Sequence, residues 1–294
     1  NDLRGVGVLQ YNKNEMETYV GTLHDRLLKD SDCRFCGACA EVCPTGTIRD
    51  MMNYTPIEKR DTLVPCQATC PAHADVPRYV RFVKEGKMEE ATAVIHEKIP
   101  FPECLGRVCA HACEGKFRRG DVNEAVSIRN IKRYAAEHAN NKLWKENSKH
   151  LPATGKKVCV VGGGPAGMTA AYYLAKQGHE TVLKEALPKL GGQMQYGIPS
   201  YRLPREVVDK EAGYLAEAGV KVETGCRVEA PKDLLEAYDA VLMAIGTHAG
   251  VRLPMEGNQL PGVLLNADFL RNTAMGKETG MGKRVIVLGG GNVA

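Results

Sequence analysis

The sequence has no long apolar segment and little net charge. None of its hydrophobic runs approaches the roughly 18 to 20 residues that a membrane-spanning helix requires, which excludes an integral membrane protein. The 39 basic residues nearly balance 35 acidic ones, and a net charge of +4 does not indicate a nucleic-acid partner. No basic and apolar leader stands at the start, so we expect a cytoplasmic protein.

The sequence also lacks a serine–histidine–aspartate pattern, a pair of catalytic carboxylates and histidines with metal-ligand spacing. That lack is consistent with chemistry supplied by bound cofactors. Cysteine, in contrast, is abundant: there are 11, and nine of them lie within the first 113 residues in tight clusters. In a chain without an export signal, such spacing favours metal sites over disulfides.

Hydrophobic periodicity changes near residue 150. Before it, apolar residues recur at three- and four-residue steps over 76–98 and 124–138, which predicts helices with a break at Gly86, and 140–150 is predicted to be a polar linker. After it, apolar runs alternate with helical segments: strands are expected at 158–161, 181–183, 220–224, 239–245 and 284–288, and helices at 166–176 and 205–218. This alternation predicts a doubly wound α/β domain with a parallel sheet.

The first cysteine run has the spacing Cys33-x2-Cys36-x2-Cys39-x3-Cys43, followed by proline. Bacterial ferredoxins use this spacing to bind a cubane [4Fe–4S] cluster with three thiolates, while the fourth cysteine ligates a second cluster. The spacing favours a cluster over a zinc site or a disulfide.

The residues around this run, 1–9 and 32–37, resemble the double-cluster segment of iron-only hydrogenases, complex I-like subunits and some formate dehydrogenase subunits. In that family another cysteine run ends just before the position of Asn1. The resemblance therefore implies a partial 2[4Fe–4S] ferredoxin-like domain over 1–55.

The second cysteine region contains Cys66-x3-Cys70-Pro71 and, further on, Cys104-x4-Cys109-x3-Cys113. Together with their flanking residues, these motifs resemble the helical iron–sulfur domain of the glutamate synthase small subunit, dihydropyrimidine dehydrogenase and the bifurcating ferredoxin–NADP transhydrogenase. The resemblance runs to residue 294 and implies a helical [4Fe–4S] domain over 56–150.

The family normally builds two clusters here, and this sequence departs from that pattern. Three ligand positions of one cluster hold Glu58, Asp61 and Phe117, so we expect that cluster to be absent.

The other cluster would keep three family ligands, Cys70, Cys109 and Cys113. Its fourth family ligand falls near Lys132, and an ammonium has no lone pair to give iron. Either Cys66 or Cys104 is expected to complete the set, with Cys66 favoured.

Basic residues follow this region: Lys116, Arg118, Arg119, Arg129, Lys132 and Arg133. Cations beside an anionic cluster would raise its reduction potential. An ordinary solvated helix face would show the same pattern, and both interpretations stay open.

A glycine-rich turn follows the run at 158–161. The residues Gly162, Gly163, Gly164, Pro165, Ala166 and Gly167 fit G-x-G-x-x-G, and Glu185 lies 23 residues after the first glycine. In a dinucleotide-binding unit the glycines permit a tight turn, close approach of the backbone to a pyrophosphate, and close packing of helix on strand. The helix N-terminus attracts the anion, and the acidic residue accepts from a ribose hydroxyl. The motif therefore predicts a Rossmann-type cofactor site.

The next loop resembles the FAD loop of the glutamate synthase small-subunit family. The resemblance is carried by Gly191-Gly192-Gln193, by 196–199, by Arg202-Leu203-Pro204 and by Ala244-Ile245-Gly246, where isoleucine replaces a usual threonine. It implies an FAD-binding domain over 151–282. The contacts implied are those of Gly192, Gln193, Arg202, Val228, Ala244 and Gly246.

A second glycine motif follows the apolar run at 284–288. Its pattern is G-x-G-x-x-A, which predicts the start of an NAD(P)-binding Rossmann domain over 283–294 with cofactor contacts from Gly289, Gly291, Asn292 and Val293. NADH and NADPH stay open, because the residues that distinguish them come later in such a unit. We expect the native polypeptide to extend beyond both ends.

The sequence thus predicts an α/β Rossmann-type FAD domain preceded by a helical iron–sulfur domain and a partial ferredoxin-like domain. The expected function is that of an electron-transfer flavoprotein subunit, which moves electrons between NAD(P)H, FAD and [4Fe–4S] clusters in an anaerobic complex of the bifurcating transhydrogenase, hydrogenase or formate dehydrogenase type. Its expected partners are other redox subunits, such as ferredoxin or hydrogenase- and dehydrogenase-type subunits. The alternative is a non-enzymatic iron–sulfur relay or scaffold subunit.

Overall fold

The computed structural model describes residues 7–13, 18–33, 35, 37–41, 43, 48, 64–147 and 150–291. The chain divides into two compact units, Asn1–Ser148 and Lys149–Ala294. Among the described residues, no helix is both long and apolar enough to cross a membrane. The four domains expected from the sequence, 1–55, 56–150, 151–282 and 283–294, stay a prediction.

The first unit begins with a small antiparallel ribbon. Strands β1 (Leu9–Lys13) and β2 (Thr18–Thr22) pair with Leu9 opposite Thr22. A short helix, α1 (Ala38–Glu41), lies within the first cysteine run.

Seven further α-helices lie in the described part of this unit, with short 3-10 helices at Leu23–Asp25, Leu28–Asp30 and Arg118–Asp121. The seven α-helices are α2 (Pro65–Ala68), α3 (Val76–Lys84), α4 (Met88–His96), α5 (Pro102–Val108), α6 (Ala112–Gly115), α7 (Ile128–His138) and α8 (Lys142–Asn147). The predicted break at Gly86 is confirmed, since this residue has φ +75° between α3 and α4. The helix expected from residue 124 begins at Ile128 instead.

The core of the first unit lies between α3, α4, α5 and α7. Tyr79, Ile95 and Ala135 are at most 1% exposed. Gly106 lets α5 approach α7 closely, because a Cβ at this position would lie only 2.8 Å from the Cβ of Arg133. Three cysteines of the second region, Cys66, Cys104 and Cys113, lie in α2, α5 and α6.

The prediction of a polar linker over 140–150 is wrong in part. Residues Lys142–Asn147 form α8, and Trp144 is only 7% exposed. Its ring stacks on His96 with the centroids 3.8 Å apart, and His96 lies buried in α4. A single aromatic residue therefore anchors a segment that is polar on average.

The second unit contains a four-stranded parallel sheet. Its strands β3 (Lys157–Val161), β4 (Glu180–Lys184), β5 (Lys221–Glu223) and β6 (Ala240–Met243) lie in the order β5-β4-β3-β6. The described α-helices of this unit are α9 (Pro165–Lys176), α10 (Gln193–Tyr196), α11 (Arg205–Glu217) and α12 (Asn266–Ala274), and Pro231–Glu236 form a 3-10 helix. Four of the predicted strands and both predicted helices are confirmed, as is the α/β class.

The strand predicted at 284–288 is wrong. The backbone there pairs with no strand among the described residues, and Ile286 is 87% exposed. An apolar run forms a strand only where a neighbour takes up its backbone hydrogen bonds. The second glycine motif consequently lacks the preceding strand that its prediction assumed.

Candidate functional site: a glycine turn and a set of converging thiols

The strand order of the second unit reverses at β3. The chain winds from β3 to β4 to β5 in one direction, and β6 then pairs with the other side of β3. In open parallel sheets, ligands bind at the carboxyl ends of the strands beside such a reversal. The turn Gly162–Gly164 and the segment from Ala244 follow those strand ends directly.

The glycine turn leaves no room for side chains where it packs against its neighbours. A Cβ on Gly162, whose φ is +108°, would collide with the carbonyl oxygen of Ala244, and a Cβ on Gly167 would collide with that of Gly162. Gly167 therefore brings α9 onto the turn, as the motif predicts.

Glu185, directly after β4, holds this turn. The carboxylate is 5% exposed; Oε2 accepts from the backbone N–H of Gly163 at 2.6 Å, and Oε1 accepts from that of Leu187 at 2.7 Å. Each carboxylate oxygen has a second lone pair, so the residue can still accept from a ribose hydroxyl.

A second set of glycines, Gly191 and Gly192, packs on the turn Gly162–Gly164. The N–H of Gly191 donates to the carbonyl of Gly163 at 2.7 Å, and a Cβ on Gly192 would lie 2.7 Å from the Cα of Gly164. Gln193 donates from Nε2 to the carbonyl of Thr247 at 3.0 Å, which connects this loop to the segment after β6.

This arrangement fits a dinucleotide. Pro165 and Ala166 are exposed at the N-terminus of α9, a helix of 12 residues, so its free N–H groups and its dipole are open to an anion. A Cβ on Gly164 would meet only the Cα of Gly192, at 3.7 Å, which leaves a backbone cradle for a pyrophosphate.

The other residues predicted to contact a cofactor differ in their exposure. Arg202 and Gly246 are exposed, whereas Val228 and Ala244 are partly buried. Gly289 and Gly291 lie exposed in the segment without strand structure, and Asn292 and Val293 lie outside the described residues.

Cysteines of the first unit lie around Tyr79: Cys66 and Cys113 share its core cluster, and Cys70 packs against that cluster. Burial raises the pKa of this tyrosine well above its ordinary value, and Cys113, Cys66, Cys70 and Cys109 raise it further. Helix α2, which carries Cys66, contacts α6, which carries Cys113.

Cys66 lies with two of the three predicted ligands. The core cluster around Tyr79 includes Cys66 and Cys113, with Cys70 packed against it, whereas Cys109 and the fully buried Cys104 of α5 are not part of that cluster.

The residues at two of the family's ligand positions are also buried. Lys132 is 6% exposed. Burial and the neighbouring Cys109 and Cys70 raise the pKa of Cys113, whereas the positive charge of Lys132 acts to lower it. Phe117 lies in the core, while Glu58 and Asp61 lie outside the described residues.

Two cysteines in different regions share one local structure. The Sγ of Cys33 accepts from the N–H of Phe35 at 3.4 Å, and the Sγ of Cys109 accepts from that of His111 at 3.3 Å. Phe35 and His111 have φ of +52° and +44°, which turns the N–H back to the sulfur. Hydrogen bonds to sulfur are one means by which proteins set cluster potentials.

The remaining ligands of the first run are only partly placed. Cys39 lies in α1, and the Sγ of Cys43 accepts from the N–H of Ile48 at 3.5 Å, whereas Cys36 lies outside the described residues. Within the described part of the chain, no three cysteine, histidine or acidic side chains stand close enough to share a single metal ion. A cubane places each thiolate on a different iron, so its ligands stand farther apart than those of one ion.

Several arginines contribute contacts that the sequence pattern did not reveal. Arg119 and Arg129 donate to the carbonyls of Cys33 at 2.7 Å and Cys109 at 3.2 Å, so this part of the basic group is not a solvated face. Arg205 donates to the carbonyls of Met194 and Ile198, both at 2.7 Å. A guanidinium that binds backbone carbonyls has no partner side chain, so it leaves no signal in the sequence.

Three families match this chain. Residues 29–49 match the 4Fe-4S binding domain, residues 61–144 match dihydropyrimidine dehydrogenase domain II with its 4Fe-4S cluster, and residues 156–294 match the pyridine nucleotide-disulphide oxidoreductases. These matches confirm the predicted iron–sulfur character of both cysteine regions. They also support [4Fe–4S] clusters, FAD and NAD(P) as the cofactors.

Curated relatives cover 78% of the chain. The NADPH-Fe(3+) oxidoreductase subunit beta of Geobacter sulfurreducens is 38% identical, the NADP(+)-dependent formate dehydrogenase subunit beta of Moorella thermoacetica 37%, and the glutamate synthase [NADPH] small chain of Escherichia coli 34%. The chain spans 35%, 36% and 52% of their respective lengths. The chain is homologous to the glutamate synthase small chain and the two beta subunits, and it contains a dihydropyrimidine dehydrogenase-type 4Fe-4S domain at 61–144 and a pyridine nucleotide-disulphide oxidoreductase domain from residue 156.

Proposed function

We propose that this chain belongs to an electron-transfer subunit of a multi-subunit redox complex, in which NAD(P)H, FAD and [4Fe–4S] clusters exchange electrons. The observation that carries the proposal is the packing of Cys66, Cys70 and Cys113 with Tyr79 in a chain that also places a glycine turn at the carboxyl end of β3. FAD supplies the change from two-electron to one-electron chemistry that links a nicotinamide to iron–sulfur clusters.

The helical domain is proposed to bind one cluster through Cys66, Cys70, Cys109 and Cys113. The packing of Cys66, Cys70 and Cys113 with Tyr79 supports this set, as does the effect of Cys109 and Cys70 on the pKa of Cys113, which is raised first by burial. The first run is proposed to bind a cluster through Cys33, Cys36 and Cys39, with Cys43 available to another, as in two-cluster ferredoxins.

The second unit is proposed to hold FAD with the backbone of 162–167 and 191–193. Glu185 orients the turn and accepts from the ribose, while the N-terminus of α9 faces the pyrophosphate. Two relatives carry NADPH in their names and a third carries NADP(+), which supports a phosphorylated nicotinamide as the hydride donor or acceptor.

The partner class follows from the same names. Two relatives are beta subunits and one is a small chain, so we propose that other redox subunits take electrons from this one. A formate dehydrogenase-type, hydrogenase-type or transhydrogenase-type complex would each suit a subunit with two cysteine regions.

The test is anaerobic purification of the native complex, with iron, sulfide and flavin counted per subunit. We expect bound flavin, a cubane in each cysteine region, and bleaching of the flavin and cluster absorbance by NADPH. A protein without iron would overturn the proposal. Iron without flavin and without reduction by NADPH or NADH would favour the non-enzymatic relay.

A further inference from the structure

One arginine of the helical domain binds the first cysteine loop through three backbone carbonyls. Arg119 donates from Nη1 to Ser31 O at 2.9 Å and to Cys33 O at 2.7 Å, and from Nη2 to Lys29 O at 3.1 Å. These partners are 86 to 90 residues away in the sequence, so the contact joins two distant segments of the same unit.

The loop presents these carbonyls as a preformed acceptor. The N–H of Ser31 donates to Leu28 O at 3.3 Å, and the N–H of Cys33 donates to Ser31 Oγ at 3.2 Å. A planar guanidinium can serve several converging acceptors at once, whereas a lysine ammonium is a single point charge on a flexible stem.

Both ends of this contact lie next to cysteine ligands. Cys33 is the first cysteine of its run, and its own carbonyl is one of the three acceptors. Arg119 follows Cys113 by six residues, and Arg129 binds the carbonyl of Cys109 in the similar turn. A shift of the guanidinium would therefore move Cys33 relative to the helical domain.

A further side-chain contact between these segments is a surface ion pair. Lys84 Nζ lies 2.6 Å from Asp32 Oδ2, but both side chains are about two-thirds exposed, at 65% and 70%. Exposed ion pairs of this kind contribute little to stability.

We propose that Arg119 is a positioning residue that fixes the separation between the Cys33 loop and the thiol set around Tyr79. The inference rests on the proposed function, in which each set holds a cluster. Electron transfer between two clusters makes and breaks no bond: the donor is oxidised by one electron and the acceptor is reduced by one. Its rate falls steeply with distance, so a residue that holds the two ligand sets together would control it.

The test compares Arg119→Gln and Arg119→Lys in the anaerobically purified holoprotein. Lys116→Gln is the matched control, because it removes the same charge from an exposed position three residues away. Hydrogen exchange of the peptide spanning residues 28–35 measures the loop itself, and magnetic coupling between the reduced clusters, by EPR, measures their separation.

Loss of charge-assisted hydrogen bonds should speed exchange in this peptide about tenfold or more in both Arg119 variants. The magnetic coupling should weaken in both, while Lys116→Gln keeps both wild-type properties. If Arg119→Gln loses its iron, the hydrogen exchange of Arg119→Lys tests the inference, because the exchange measurement does not require a cluster.

Wild-type exchange and coupling in both variants would overturn the inference. Full recovery by Arg119→Lys would also overturn it, because lysine restores the charge without the planar fork. A wild-type protein without iron would defeat the proposed function, whereas the exchange experiment would still show whether Arg119 holds the loop.

Discussion

The carboxylate of Glu185 and the backbone N–H of Gly163 are joined by a hydrogen bond of 2.6 Å, which connects the carboxyl ends of β4 and β3. A buried acceptor at this point fixes the second residue of the glycine turn before any cofactor binds. The same side chain thus has two roles, since it supports the turn and faces the proposed ribose site.

Glu185→Ala should lower flavin affinity. It removes a carboxylate that satisfies two backbone N–H groups, at a cost of about 1.5–3 kcal/mol for a hydrogen bond to a charged group. Flavin retention under dilution, followed by fluorescence, should fall tenfold or more. Glu185→Gln is the control, because it keeps an acceptor for Gly163 and should bind flavin with intermediate affinity; equal retention in all three proteins would argue against this role.

Gly167→Ala should destabilise the second unit, while Gly213→Ala should not. A Cβ on Gly167 would collide with the carbonyl oxygen of Gly162, whereas a Cβ on Gly213, exposed within α11, would meet nothing within 4 Å. Alanine in an open helical position stabilises by roughly 0.5–1 kcal/mol relative to glycine. Thermal unfolding should show a lower Tm for the first variant and an unchanged or higher Tm for the second. An equal change in Tm for both variants would show that Gly167 is not required for close packing of α9 on the glycine turn.

Cys66→Ser should remove the cluster of the helical domain, and Cys104→Ser should leave it in place. The first thiol lies in the core cluster with Tyr79 and Cys113, and the second is buried apart from that cluster. Iron should fall by about four per chain in Cys66→Ser alone, the content of one cubane. The opposite result would assign the fourth ligand to Cys104, and two cubanes counted within 58–135 would contradict the single-cluster proposal.

The sequence predicts the central strands β3 and β4 well because strands covered on both faces are largely apolar. The outer strands β5 and β6 are shorter and more exposed, and their apolar residues still indicated them. The run at 284–288 has the same composition and is not a strand, because strand formation also requires a partner that composition does not specify. Trp144 shows the converse error, since one buried ring outweighs the polar residues around it.

The candidate site was predictable where backbone geometry restricts the residue type. Gly162 and Gly167 occupy positions that a Cβ cannot enter, so the motif itself carries the information. Arg119 and Arg205 were missed because they bind carbonyl oxygens, which every residue possesses. Only the folded chain brings those carbonyls to the guanidinium.

Acid should reduce the stability that the Glu223 ion pairs provide. Hydrogen bonds from Lys184 and then Lys221 lower the pKa of Glu223 from 4.5 to about 2, and Lys184 lies opposite it across β4 and β5. A pKa depressed in the folded state contributes stability above the unfolded value of 4.5, and this contribution is lost as the pH falls toward 2.

Glu223→Gln should therefore have a lower Tm than the wild type at pH 7, and the difference should shrink below pH 4.5. Glu229→Gln is the control, because its pair with Arg227 is 80% and 75% exposed and should change the Tm little at any pH. A Tm difference that does not depend on pH would show that Glu223 acts through packing instead.

Arg205→Gln should loosen the loop that carries the second set of glycines, and Arg202→Gln should not. Burial lowers the pKa of Arg205. Hydrogen bonds from its guanidinium to Met194 O and Ile198 O, at 2.7 Å each, compensate for this burial. Its removal leaves two carbonyls of the loop without these donors, at about 1–3 kcal/mol for each group that stays buried. Arg202 is exposed, so its expected role is confined to the flavin itself.

The two variants are distinguished by measuring the loop and the flavin separately. Hydrogen exchange over residues 191–200 of the flavin-free protein should accelerate in Arg205→Gln and stay at the wild-type rate in Arg202→Gln. Flavin affinity should fall in both, but Arg205→Lys should recover less than Arg202→Lys, since only Arg205 must serve two carbonyls with one planar group. Equal exchange in Arg205→Gln and wild type would show that the loop holds its shape without this arginine.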